Sequence, residues 1–189
     1  MWLLDQRIDL QESWAYVYKA LTKEQCDQVI KLGESLLPEV ASTFGGVCQD
    51  VRDSKVSWIQ PSKESEPLYR HMTDIIVNLN SQFFKFDLDG FGEGFQFTKY
   101  EAPAGKYDLH VDKAYGKGIR KLSVVVQLSD PADYEGGELC IQTSSNVQTM
   151  HKEQGYLVAF PSHVLHGVTP VTKGTRYSLV AWLTGPAFK

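Results

Sequence analysis

From Phe95 onward, apolar residues recur with a period of two in short runs cut by glycine and proline. This rhythm constrains the fold more than any other feature, because period two marks a β-strand whose successive side chains face opposite ways. The predicted strands are Phe95–Tyr100, Tyr107–Asp112, Lys121–Leu128, Glu138–Gln142, Tyr156–Phe160, Val164–Val168 and Arg176–Leu183. Pro103, Gly105, Gly116, Gly118, Pro131, Gly136-Gly137, Gly155, Pro161, Pro170 and Gly174 punctuate them. Many short strands with such turns describe a sandwich or jelly roll.

The N-terminal third has a different period. Thr22 and Gln25 have capping-box spacing, and Cys26, Val29, Ile30 and Leu36 or Leu37 continue an apolar helical stripe that Pro38 ends. Residues 41–53 hold Gly45-Gly46 and little periodicity, so they read as a mobile loop. Val56–Gln60 reads as a strand. A second helix is predicted over Glu66–Phe84, where Leu68, Met72, Ile75, Ile76, Leu79 and Phe83 recur at helical spacing. Helices first and strands afterwards suggest helices packed on one side of a mainly antiparallel sheet system. The run Phe83, Phe84, Phe86, Phe91, Phe95 and Phe97 would form the core where helices meet sheet.

At 189 residues the chain suggests one domain. A net charge of −4 gives no general pull toward nucleic acid or an anionic membrane. Cys26, Cys48 and Cys140 are far apart and form no CxxC, so they read as buried or inert thiols in a reducing cytoplasm. The opening stretch is charged by Asp5, which argues against a signal peptide, and no segment approaches the length of a membrane span.

The chemistry centres on His110-Val111-Asp112. On a strand, residues two apart share a face, so His110 and Asp112 can reach one ion while Val111 turns away. His166 supplies a third ligand. Two histidines and one carboxylate on one face of an octahedral ion leave three positions open, the arrangement suited to non-haem Fe(II) that must also hold a co-substrate and O2. A structural zinc site is more typically closed by four ligands. Arg176 follows His166 by ten residues across a turn, which places the two on adjacent antiparallel strands. There an arginine can hold a carboxylate bidentately at the end of a pocket whose mouth holds the metal. Among the other histidines, His71 reads as a helix-boundary residue, and His151 and His163 as surface.

These residues lie within a longer pattern. It runs through Tyr100-x4-Gly105-x-Tyr107-x2-His110-x-Asp112, Arg120-x-Leu122-Ser123, Tyr134-Glu-Gly-Gly-Glu-Leu139 and Gly155-x4-Phe160-Pro-Ser162. It continues through His166-x-Val168-x-Pro170-Val171 and Gly174-x-Arg176-Tyr-Ser to Trp182. The pattern resembles the Fe(II)/2-oxoglutarate-dependent oxygenases, in the prolyl 4-hydroxylase-like branch. The resemblance implies a double-stranded β-helix core over about residues 95–185, following a helical part over about 20–84. It implies Fe(II) on His110, Asp112 and His166, with 2-oxoglutarate chelating the iron and Arg176 binding its distal carboxylate. It further implies O2 as oxidant, succinate and CO2 as co-products, hydroxylation of an unactivated C–H, and ascorbate as reductant.

By the same resemblance Tyr100 and Tyr107 line the co-substrate and substrate pocket, and Trp182 stands at the pocket wall. Relatives that carry a tyrosine for the distal carboxylate have Gln127 or Val126 near that place here, so Gln127 is expected to substitute as an amide donor. Gly136-Gly137 serves a tight turn or bulge, and Glu138 beside it reads as structural. The loop Lys113–Arg120, with two glycines and three cations, reads either as a cover over substrate or as a solvated hairpin. A peptidyl proline is the expected substrate. A free amino acid or small metabolite, a non-catalytic metal-binding sensor, and a cupin-like enzyme of another reaction type stay open as alternatives.

Overall fold

The computed structural model describes residues 13–43, 46–112 and 118–187. In chain order its elements are β1 (Ala15–Val17), α1 (Lys23–Ser35), β2 (Glu39–Val40), β3 (Arg52–Asp53), β4 (Lys55–Ile59), α2 (Glu66–Leu79) and β5 (Gly90–Phe91). There follow β6 (Phe95–Glu101), β7 (Lys106–His110), β8 (Ile119–Gln127), β9 (Tyr134–Gly136), β10 (Leu139–Gln142) and β11 (Val147–Thr149). The last are β12 (Leu157–Pro161), β13 (Leu165–Val168) and β14 (Val171–Gly185).

Two sheets result. The larger runs β1-β12-β8-β14-β6-β4-β2, with β5 and β9 also paired to β14; the smaller runs β11-β10-β13-β7-β3. Every pair in both is antiparallel.

The helices cover the outer face of the larger sheet. Helix α1 starts at the expected capping box: the Gln25 N–H donates to Thr22 Oγ1 (3.2 Å) and the Thr22 N–H to Gln25 Oε1 (2.8 Å). Such a cap contributes about 1 kcal/mol. Gly33 lets α1 lie directly on the Phe97 ring, where a Cβ would collide. Helix α2 ends in a π-helical turn over Asn80–Phe84. Cys26, Val29, Met72 and Ile76 from the helices meet Phe95, Phe97, Leu179 and Ala181 from the sheet in one buried cluster.

A second apolar cluster fills the space between the sheets, with Val125, Leu139, Ile141, Val158, Phe160 and Val168. Strand alternation assigns the two layers. On β8, Leu122, Val124 and Val126 face the helices and Val125 faces inward; on β14, Leu179, Ala181 and Leu183 face the helices. The central strands are therefore covered on both sides, which is why every residue of Lys121–Leu128 is buried, with Val124–Val126 apolar on both faces.

Three expectations need correction. Residues 41–53 are not simply a loop: Arg52 and Asp53 pair with Tyr107 and Lys106, and Arg52 is buried. A two-residue strand leaves no periodicity to detect. His166 and Arg176 do not lie on adjacent strands of one sheet. His166 sits on β13 in the smaller sheet and Arg176 on β14 in the larger, so the Thr169-Pro170 connection crosses between sheets. Of the cysteines, Cys26 and Cys140 are buried, but Cys48 is exposed. The segment Lys113–Arg120 falls largely outside the described residues, which resume at Gly118.

Candidate active site

The smaller sheet brings the histidines together. Strand β13 pairs with β7 so that His166 stands opposite His110, with ring centroids 4.2 Å apart. Strand β7 ends at His110, and Asp112 lies just beyond it, held by its own bonds. The Asp112 N–H donates to the Ser162 carbonyl at 2.9 Å. Ser123 Oγ donates to Asp112 Oδ2 at 2.8 Å and lies 2.9 Å from Ser162 Oγ. The spacing logic survives the end of the strand: Val111 is 44% exposed and Asp112 8%.

Asp112 Oδ1 is 3.6 Å from His110 Nε2, and Asp112 Oδ2 is 3.3 Å from His166 Nε2. One ligand atom from each of the three residues falls within 4.8 Å of the others, the one such group among the described residues. Two ligands about 2.1 Å from an ion and at right angles are about 3 Å apart, so the cluster fits a small divalent metal. The tautomers fit as well. His110 Nδ1 is 2.8 Å from the Asp108 carbonyl and His166 Nδ1 2.9 Å from the Val164 carbonyl. A carbonyl can only accept, so Nδ1 carries the proton and Nε2 keeps its lone pair toward the cluster.

Charge completes the fit. Burial pushes the His110 pKa down, despite Asp112 beside it, and so favours neutral imidazole. Burial pushes the Asp112 carboxyl up, but the two imidazoles outweigh it and hold the group well below the usual carboxylate range. Neutral histidine and ionised carboxylate are the ligand forms a metal needs.

Arg176 lies across the interior. It is 0% exposed, donates from Nη2 to Gln127 Oε1 at 2.8 Å, and has Nη1 3.5 Å from Ser178 Oγ. Its Nε has no hydrogen-bond partner, and no carboxylate among the described residues pairs with it. A cavity of about 660 Å³ is lined by both Arg176 and the three clustered residues. Gly137 belongs to its construction. With φ +63° it occupies the left-handed region, and a Cβ there would come within 3.0 Å of Arg176 Cδ.

Tyr100, Tyr107 and Trp182 all line this cavity. The Tyr100 ring lies 5.2 Å from the Arg176 guanidinium. Tyr107 stacks on His110 at 3.5 Å between ring centres. Trp182 carries the Arg120 guanidinium 3.8 Å over its ring, and its buried Nε1 has no partner. Gln127 does not line the cavity; its contact is with Arg176. His151 and His163 are exposed, and His71 Nε2 lies 2.7 Å from the Ala20 carbonyl at the helix boundary. Glu138 accepts from the Thr169 hydroxyl, as a structural carboxylate would.

Sequence reading missed several neighbours. Arg52, Trp58 and Glu93 line the cavity, and Tyr134 has a buried hydroxyl without a partner. Trp58 shares the inward face of β4 with Val56, an alternation visible in the sequence. Arg52 gave no signal, since a lone arginine beside glycines reads as loop.

Two facing antiparallel sheets, with a three-ligand cluster from one and a buried arginine from the other, define the class: a non-haem oxygenase on a double-stranded β-helix. Comparison with known proteins agrees. Residues 95–184 match the 2OG-Fe(II) oxygenase superfamily. A PKHD-type hydroxylase of Prochlorococcus marinus is 32% identical over 163 residues, 85% of this chain and 72% of its own. Another, from Paraburkholderia xenovorans, is 34% identical over 133 residues, 66% of this chain and 58% of its own.

Among solved structures, a Trichoplax adhaerens prolyl hydroxylase, in complex with a hypoxia inducible factor peptide fragment, superposes with TM-score 0.76 at 20% identity. That match covers 91% of this chain and 83% of the other. A Pseudomonas putida prolyl-4-hydroxylase gives TM-score 0.69 at 22% identity, covering 93% and 94%. These likenesses establish the double-stranded β-helix. The chain belongs to the 2OG-Fe(II) oxygenase superfamily, with PKHD-type hydroxylases among its relatives, and is a 2-oxoglutarate-dependent dioxygenase.

Proposed function

We propose that the protein hydroxylates an unactivated C–H of a prolyl residue in a peptide or protein, forming succinate and CO2 from 2-oxoglutarate. The observation that carries the co-substrate assignment is Arg176: a fully buried guanidinium without an ion-paired carboxylate among the described residues, in the same cavity as the ligand cluster. Burying an unpaired charge is costly, so the site is built to receive an anion. A keto diacid has one end for the metal and one for Arg176.

His110, Asp112 and His166 hold Fe(II), and Ser123 fixes the carboxylate. When bound, the iron with the keto acid and O2 supplies oxidative decarboxylation and delivery of one oxygen atom to carbon. Arg176 orients the distal carboxylate, Gln127 holds Arg176 in place, and Tyr100 walls the co-substrate end. Tyr107 and Trp182 line the substrate side and keep water out. The prolyl assignment draws support from the prolyl hydroxylases among the structural neighbours. Ascorbate serves as reductant. Three unpaired cysteines accord with a cytoplasmic setting, and no described helix is long and apolar enough to cross a membrane.

The test is anaerobic titration of the Fe(II)-reconstituted protein with 2-oxoglutarate, followed by the visible charge-transfer band of the chelate. A saturating band supports the shared site, and mass spectrometry of a proline peptide panel then reads the gain of one oxygen. Iron bound without a band would refute the co-substrate assignment.

A further inference from the structure

Besides the ligand cluster and Arg176, four charged residues line the cavity: Glu39, Arg52, Glu93 and Arg120. Three are accounted for. Arg120 donates from Nε (2.9 Å) and Nη2 (2.6 Å) to Glu93 Oε1, so that pair is neutral together. Glu39 is exposed at the rim, where water screens it.

Arg52 differs. It is 7% exposed, and its protein acceptors are both neutral: Ser54 Oγ at 3.1 Å from Nε and the Ser42 carbonyl at 3.3 Å from Nη1. No carboxylate among the described residues pairs with it. A guanidinium has five N–H donors, so three have no hydrogen-bond partner among the described residues. Its carbon lies 4.4 Å from the centre of the Tyr107 ring, which stacks 3.5 Å from His110, placing the cation within about 8 Å of that imidazole. Cation–π contact offsets only part of the desolvation. The cavity thus holds two buried guanidinium groups on opposite sheets, neither in an ion pair among the described residues. The co-substrate has one free carboxylate, and Arg176 takes it.

We propose that Arg52 anchors a carboxylate of the prime substrate, a few bonds from the hydroxylated carbon. This rests on reading the cavity as the oxygenase site. The carboxylate can come from a free amino acid or from an acidic side chain next to the target residue in a peptide. In both cases the guanidinium fork and the Tyr107 face select for a planar anion.

The experiment uses protein loaded with Zn(II) and 2-oxoglutarate, which binds without turnover, and measures dissociation constants for two matched pairs by calorimetry. L-proline against L-prolinamide reads the free-acid source. Acetyl-Ala-Pro-Glu-amide against acetyl-Ala-Pro-Gln-amide reads the side-chain source. The expected result is about ten- to a hundredfold tighter binding of the carboxylate member in one pair, the scale of a charge-assisted hydrogen bond. Arg52→Gln abolishes that ratio and leaves the 2-oxoglutarate dissociation constant unchanged; Arg52→Lys, which keeps the charge and guards against misfolding of the first variant, retains part of it. If neither carboxylate probe binds tighter than its amide twin, or if the ratio survives in Arg52→Gln, the proposal falls. Failure of the oxygenase reading is separate, seen as absence of the Fe(II)–2-oxoglutarate band in the unaltered protein.

Discussion

Replacing Arg176 by methionine should weaken 2-oxoglutarate binding severely while leaving the metal-free protein nearly as stable as before. The two effects have different origins. The guanidinium is 0% exposed, and among the described residues its Nε has no partner and no carboxylate forms an ion pair with it. Removing it relieves that desolvation but strips Gln127 Oε1 of its donor at 2.8 Å, a loss of about 1–3 kcal/mol. Buried charges exchanged for apolar groups of similar size are often neutral or stabilising. The two contributions oppose, and the melting temperature should move by no more than about 5 °C. Binding has no such compensation. Two charge-assisted hydrogen bonds at about 1.5–3 kcal/mol each correspond to a rise in dissociation constant of about a hundredfold or more. The assay is the anaerobic charge-transfer titration beside a thermal melt of the metal-free protein. An unchanged 2-oxoglutarate affinity would refute the pocket assignment. A melting point more than about 10 °C lower would show that the protein itself compensates the cation.

Three further outcomes are expected. Ser123→Ala removes the 2.8 Å hydrogen bond to Asp112 Oδ2 and should weaken metal binding about 10- to 100-fold, read by competition with a chromophoric chelator. Gly137→Ala puts a Cβ at φ +63°, within 3.0 Å of Arg176 Cδ and 2.9 Å of Val171 Cγ2, and should destabilise by about 1–3 kcal/mol in urea melts. Burial pushes the Cys26 thiol up to about 12, so its thiolate is scarce at pH 8; iodoacetamide should label exposed Cys48 and spare Cys26 until unfolding, as peptide mapping would show.

Local pattern carried much of the architecture. The capping box at Thr22 and Gln25 forms as spaced, because helix starts depend on side chains three residues apart. The strand runs after Phe95 locate the β-core because period two persists wherever one face is buried. Strand ends moved by a few residues, and the short edge strands β1, β2, β3 and β11 went unseen, since two or three exposed or irregular residues show no period.

The ligand set was legible because His110 and Asp112 are close in sequence and His166 follows within the family pattern. The side chains that hold those residues in place were not. Ser123 reaches Asp112 across eleven positions, and Ser123 reaches Ser162 across thirty-nine, through pairing of β8 with β12. Gln127 was expected as a direct ligand, but in the fold it grips Arg176. Arg52 falls in the aperiodic stretch 41–53, and Glu93 and Arg120 stand 27 positions apart.

Residue order therefore sufficed for most strand content and the helix positions, which rest on neighbours a few positions apart, and it named the three residues that cluster as candidate metal ligands. Which sheet each group occupies was settled only in three dimensions. His166 and Arg176, ten residues apart, face one another from different sheets because the chain crosses over at Thr169-Pro170. Burial, which sets Arg176 and Arg52 apart from the solvated cations of the surface, is likewise a property of the assembled sheets, because charge is screened by water until packing removes it.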